Sequence, residues 1–288
     1  MHPEIAHWGI IHIRWYGVML ALAFLVGTAI ALREARRLRL DEDRLITVIL
    51  VTLVAAVLGA RALYVVEHVD EFRQEWGGVL ALWQGGLTLY GGIVAGTVAG
   101  LLTARQIGLP MWVVADALTP SLALGTAFGR VGCFMNGCCY GRPTHLPWGV
   151  VFPPDSFAGL EFGTTPVHPS QLYAALVGLV LFGVAWALRR RLAPPGTLFW
   201  GFIVLFALIR IPLDFTRAYE PGTVVAHLGS LDITESQLVS VTLALVALLV
   251  MMRLHRAAAE SAAPVAVANL PAAPGAPPSA PPASPAQP

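Results

Sequence analysis

Apolar residues run along this chain in seven blocks, at about 15–33, 44–66, 87–105, 111–128, 169–188, 196–213 and 235–252, separated by polar breaks. A run of ~20 apolar residues is the length that crosses a bilayer as a helix. The pattern therefore predicts an all-α integral membrane protein, a seven-transmembrane-helix bundle. Two polar stretches between blocks are long, at 67–86 and 129–168. The first mixes Glu67, His68, Asp70, Glu71, Arg73 and Glu75 with Phe72 and Trp76, which suits a short helix lying in the membrane interface. From residue 257 the chain is rich in Ala, Pro and Ser without periodicity, which predicts a disordered tail. The expected division is thus a membrane domain at 1–256 and a tail at 257–288.

Composition agrees with the pattern: of 288 residues 56% are hydrophobic and 12% charged, too few charges for an ordinary soluble domain. Every one of the 18 basic residues is arginine, so lysine nucleophiles and Schiff-base chemistry are excluded. Arg33, Arg36, Arg37, Arg39, Arg44, Arg105, Arg189, Arg190, Arg191, Arg253 and Arg256 all fall on one side if the chain enters from outside. The positive-inside rule then puts the N-terminus outside and the C-terminus in the cytoplasm. Trp8, Trp15, Trp76, Trp83 and Trp148 fall near the outer boundary, as an aromatic belt does. No internal repeat is evident, which counts against inverted-repeat transporters. Cys133, Cys138 and Cys139 lack a fourth ligand and zinc-type spacing, so we read them as small packing residues and expect no metal and no cofactor. Gly92, Gly96 and Gly100, then Gly125 and Gly129, recur at four-residue spacing and predict close helix packing.

Seven arginines stand apart from the inside pattern: Arg14, Arg61, Arg73, Arg130, Arg142, Arg210 and Arg217. Arg61, Arg130 and Arg210 lie within or at the ends of spans, where a charge costs about 2.5–3.5 kcal/mol on insertion scales. Something must compensate each. Arg210, Asp214 and Arg217 are spaced to share one helix face, either as a locking ion pair or as part of a clamp. Arg130 opens the stretch Gly129-Arg130-Val131-Gly132-Cys133-Phe134-Met135-Asn136-Gly137-Cys138-Cys139-Tyr140-Gly141-Arg142. Glycines admit a ligand close to the backbone, and arginine supplies a forked, permanently charged donor for phosphate. We read this stretch as a lipid-headgroup site. Tyr16 follows Arg14-Trp15, and Tyr90 stands between Gly85-Gly86 and Gly91-Gly92. His168-Pro169-Ser170-Gln171-Leu172-Tyr173 opens the fifth span, with Ser170 expected to cap it and Gln171 and Tyr173 to point inward. Asp116 and Pro120 suggest a kink with a satisfied polar partner.

These pieces in this order resemble the prolipoprotein diacylglyceryl transferase family of the bacterial inner membrane. The matching residues are Trp15-Tyr16-Gly17, Leu58-Gly59-Ala60-Arg61, Gly85-Gly86 with Gly91-Gly92, Gly129 to Arg142, His168 to Tyr173, and Arg210 with Asp214 and Arg217. The resemblance implies a periplasmic N-terminus and a lipid-accessible central cavity. It implies transfer of the diacylglyceryl group of phosphatidylglycerol to the lipobox cysteine of preprolipoprotein signal peptides, releasing glycerol 1-phosphate. The partners would be those peptides, phosphatidylglycerol and membrane lipid, with no nucleic acid. Catalysis is expected from Arg130, Arg210, Tyr90 and Tyr16. Substrate binding is expected from Arg130, Arg61, Asn136, Gly141, His168, Asp214 and Arg217. The chain departs from the family in carrying Tyr90 where many members have histidine, and Cys133 and Cys138 where many have Asn and an acid. The alternative is a diverged phospholipid-binding or lipid-transporting homologue.

Overall fold

The computed structural model describes residues 4–8, 11–73, 76–81, 85–219, 223–228 and 231–268. Helices cover every apolar block: α1 (Trp15–Leu38), α2 (Glu42–Glu67), α4 (Leu89–Gln106), α5 (Met111–Asn136), α7 (Ser170–Leu188), α8 (Thr197–Asp214) and α9 (Glu235–Ala268). Short helices α3 (Val69–Phe72) and α6 (Phe157–Phe162) lie between them, with a 3-10 turn at Trp76–Leu80. Among the described residues six helices are long and apolar enough to cross a membrane, and α4, notched by glycines and ending on Arg105-Gln106, is the one of the seven below that mark. A short helix, α3, and the turn after it stand in the stretch where a short helix was expected. Glu75 and Trp83 lie outside the described residues, as does 269–288 of the expected tail. Helix α9 itself runs on to Ala268, past the expected boundary.

Two β-hairpins fall outside the all-helical expectation. β1 (Glu4–Trp8) pairs with β2 (Ile11–Arg14), and β3 (Val224–Leu228) with β4 (Leu231–Thr234). Their registers correspond step for step, each with one irregularity at its open end, and each hairpin leads straight into a long helix. The backbone thus holds a repeated element that the residues alone did not disclose.

Packing is set by small residues. Helices α2 and α4 lie backbone to backbone: a Cβ on Gly59 would stand 2.6 Å from the Gly91 carbonyl oxygen, and one on Gly91 2.3 Å from that of Gly59. Gly92, Gly96 and Gly100 continue the seam along Ala56 and Thr52. Gly125 and Gly129 face open space instead, so the close packing expected of them is not what they provide. Helix α5 sits centrally. It meets α1 where Ser121 Oγ donates to the Gly27 carbonyl (2.7 Å) and meets α7 where Gly178 abuts Ala123 and Ala127.

At one end of the bundle Arg37 donates to the Arg189 carbonyl, Arg44 to that of Ile107, and Thr197 Oγ1 meets His255 Nε2. The arginine-rich loops therefore gather at a common end. Buried Glu34, on no motif of the sequence, binds Arg37 (2.7 Å) and Arg189 (2.9 Å) there. Asp116 has a partner, as expected: its carboxylate accepts from Gly196 N (2.7 Å) and Phe199 N (2.9 Å), capping α8 from a different helix.

Candidate active site

The opposite end carries the glycine-arginine stretch. Helix α5 continues past the apolar block to Asn136, so Arg130 sits inside a helix rather than after one. Gly137, at φ 68°, ends it: its N–H reaches the Phe134 carbonyl and that of Cys138 the Cys133 carbonyl, a Schellman closure. The segment that follows is no open loop. Phe152, Ala158 and Val167 bury each other, with Phe134, Tyr140, Val150 and Phe162 packed around them.

Three motifs meet there through main-chain bonds. Gly141 N donates to the His168 carbonyl (3.0 Å), His168 N to that of Arg142 (3.0 Å), and Arg142 N to that of Thr216 (2.9 Å). Gly141 is glycine because of this closeness: a Cβ would lie 2.4 Å from His168 O. Ser170 does not cap α7. It is the first helical residue, and its Oγ donates to the Thr216 carbonyl (2.9 Å), drawn there by the same junction. Gln171 does point inward, fully buried, with Nε2 on the Cys138 carbonyl (2.8 Å). Tyr173 OH accepts from Trp148 Nε1 (2.6 Å) and stands 3.4 Å from His168 Nδ1.

The arginines separate into two kinds. Arg61 is buried, and its guanidinium donates to the carbonyls of Gly78, Val79, Gly85 and Gly86 between the rings of Tyr64 and Phe72. Its charge is engaged by the backbone carbonyls at 78–79 and 85–86. Arg130 is the reverse. Its guanidinium makes no hydrogen bond or ion pair to any described residue, and it lines a narrow cleft between α5, α7 and α8 together with Arg210.

Arg210 belongs to a polar cluster. Its Nε lies 3.1 Å from Asp214 Oδ1, and it also donates to Ser236 Oγ. The shared helix face expected for Arg210, Asp214 and Arg217 is not formed, because α8 stops at Asp214 and the chain turns away. Tyr219, which the sequence reading passed over, ties the group together. Its hydroxyl donates to Asp214 Oδ1 (2.7 Å) and accepts from Arg217 Nη1 (3.2 Å) and Arg210 Nη2 (3.3 Å). Burial holds that phenol above its ordinary pKa, against the opposing pull of Arg217 and Arg210. Asp214 Oδ2 and Arg217 Nε are buried without a hydrogen-bond partner among the described residues, so the cluster retains both an acceptor and a donor for a further group.

Tyr16 packs against Gly132 on α5, beside the thiols and within electrostatic reach of Arg130. Asn136 stands next to Cys138. Tyr90, at the start of α4, is 58% exposed, and no arginine bonds its hydroxyl among the described residues. Arg130, Arg210, Asp214 and Arg217 thus come together with Tyr16, Asn136, Gly141 and His168 at one end of α5. Arg61 and Tyr90 belong to the neighbouring α2–α4 hairpin. A cavity of about 640 Å³ opens beside Arg217, lined also by Cys138, Cys139, Tyr140, Glu161 and Tyr219. A second, apolar cavity of about 300 Å³ lies between α1, α2 and α5, with Phe24, Val48, Thr52, Leu118 and Leu122 on its walls.

The fold and the site thus define a multi-pass membrane bundle that keeps, inside a helix and next to a second arginine, an arginine with no hydrogen bond or ion pair to any described residue. The family model described as prolipoprotein diacylglyceryl transferase matches residues 3–253. The phosphatidylglycerol–prolipoprotein diacylglyceryl transferase of Geobacter sulfurreducens is 38% identical over 235 residues, covering 80% of this chain and 85% of that one. That of Desulfotalea psychrophila is 35% identical over 253 residues, covering 83% and 88%. That of Thermus thermophilus is 33% identical over 272 residues, covering 87% and 98%. The chain belongs to the prolipoprotein diacylglyceryl transferase family.

Proposed function

We propose that this chain transfers the diacylglyceryl group of phosphatidylglycerol to the lipobox cysteine of preprolipoproteins. The acceptor sulfur forms a bond to the glyceryl carbon, the bond from that carbon to phosphate oxygen breaks, and glycerol 1-phosphate leaves with the electron pair. The acceptor thiol gives up its proton, because the thiolate is the nucleophile. Negative charge grows on the departing phosphate, and that is where donors count most.

The single observation that carries this reading is Arg130. A guanidinium held inside a helix with no hydrogen bond or ion pair to any described residue is pre-positioned for an anion that arrives from outside. Arg210 shares its cleft, anchored on one side by Asp214 and Ser236. Arg217 stands on the cavity side, steadied by Tyr219. In this reading Arg130 and Arg210 hold the phosphate, Arg217 and Asn136 the headgroup, and the apolar cavity between α1, α2 and α5 takes acyl chain. Gly141 and His168 serve through the main-chain junction that orients the others. Arg61 fixes the backbone at 78–79 and 85–86, while Tyr16 and Tyr90 face the acceptor side. Helix α4 completes a seventh span, carried by its glycine seam on α2. The arginine-rich end is cytoplasmic and the site periplasmic, in the inner membrane.

The test is transfer from labelled phosphatidylglycerol to a lipobox peptide by the purified protein, beside a peptide with that cysteine replaced by alanine. Lipidated peptide with released glycerol 1-phosphate is expected, with none from the control or from Arg130→Ala. Full activity of Arg130→Ala would refute the assignment of the site. Retained phosphatidylglycerol without transfer would refute the reaction while leaving the anion site standing.

A further inference from the structure

Cys133, Cys138 and Cys139 gave no metal-like spacing in the sequence, yet the fold gathers them. Cys133 lies in the last turn of α5, and the Schellman closure at Gly137 folds the chain back so that the next two residues face it. The three sulfurs all lie within 4.8 Å of one another. Three thiolates around zinc at roughly 2.3 Å stand roughly 3.8–4.0 Å apart, so closure of this triangle asks for side-chain adjustment only.

The backbone is bent to make the cluster. Cys139 occupies the left-handed region at φ 59°, where a residue with a Cβ is uncommon and strained. The turn is held from several sides. Gln171 Nε2 grips the Cys138 carbonyl at 2.8 Å, and Gly137 sits so close to Ser156 that a Cβ there would be 2.7 Å from its Cβ. Three sulfurs converging at a strained turn is an arrangement that a shared ligand would hold together.

We propose that Cys133, Cys138 and Cys139 form a three-thiolate site for a thiophilic metal ion such as Zn²⁺. Soft thiolate donors select such ions over hard ones. Cys138 and Cys139 also line the 640 Å³ cavity, so the fourth coordination position faces solvent or an entering donor. The negative charge of three thiolates is opposed by Arg130 and Arg217, both of which act on Cys139. Binding releases the thiol protons to solvent, so uptake weakens as pH falls.

The full-length chain, purified in detergent under reductant and desalted, is given Zn²⁺ alone. The expected result is a single zinc retained per chain, with sulfur-dominated coordination at roughly 2.3 Å by X-ray absorption. Alkylation of the three thiols should slow at least tenfold when zinc is present, a readout on the unaltered protein that needs no variant to fold. Cys133→Ser and Cys139→Ser should each lose the zinc. Equal alkylation with and without zinc would overturn the proposal. So would zinc retained by the triple serine variant, or a disulfide joining two of these cysteines in chain purified without reductant. These readouts are independent of lipid transfer.

Discussion

Replacing Gly141 by alanine places a methyl group against an object that cannot rotate away. The new Cβ would lie 2.4 Å from the His168 carbonyl oxygen, 2.5 Å from His168 Cβ and 2.5 Å from Ser170 Oγ. Only the last can move cheaply. Restoring ordinary contact means drawing two backbone segments apart by about an ångström, since overpacked sites relax through backbone shifts costing about 1–3 kcal/mol. The bonds Gly141 N to His168 O and His168 N to Arg142 O, both 3.0 Å, are stretched by the same movement. Each is worth about 0.5–1.5 kcal/mol net. Together the loss is about 2–6 kcal/mol, which for a chain of this size lowers the melting temperature by on the order of 10 °C. Gly125→Ala is the matched control, because a Cβ there meets nothing within 4 Å and alanine is the better helix former. Thermal unfolding in detergent, followed by tryptophan fluorescence, reads both. A Gly141→Ala protein that melts with the wild type would refute the junction argument.

Arg130→Ala should abolish transfer with little change in melting temperature, since the guanidinium bonds none of the described residues; a large drop in stability would contradict that description. Arg130→Lys should recover little of the activity, because a single ammonium cannot replace the guanidinium fork. Asp214→Ala leaves Arg210 with less compensation in a buried site and should destabilise by about 3–5 kcal/mol, whereas Asp214→Asn should weaken transfer without unfolding the chain. Tyr219→Phe removes three hydrogen bonds at once and should lower kcat by releasing Arg217, checked by steady-state transfer kinetics. Asp116→Ala should cost about 0.5–2 kcal/mol through loss of the α8 cap while leaving transfer by the remaining folded protein unchanged.

The helices were legible because burial in lipid demands unbroken apolar runs; 44–66 against Glu42–Glu67 is typical. The error at α5 is informative. Its apolar block ends at 128, but main-chain hydrogen bonding carries the helix on to Asn136, indifferent to the polar side chains that ended the pattern. The hairpins escaped notice because four or five residues are too few for a clear alternation. Arg61 and Arg130 are the same residue type in a sequence, and only tertiary structure shows one ringed by carbonyls and the other without a hydrogen bond or ion pair among the described residues. The Glu34–Arg189 pair and the trans cap on α8 join residues far apart in the chain, which spacing rules cannot reach. Tyr219 was invisible for the same reason: its importance lies in three partners, not in any local motif.

The main-chain junction of Gly141, Arg142, His168 and Thr216 changes what the family's marks diagnose. Three stretches of sequence that read as chemistry are, at that point, carpentry: glycine for clearance, carbonyls and amides for joining. A descendant that had lost Arg130 but kept the joint would still fold, still match the family over most of its length, and transfer nothing. Ancestry can be told from the joint; competence has to be told from the arginines.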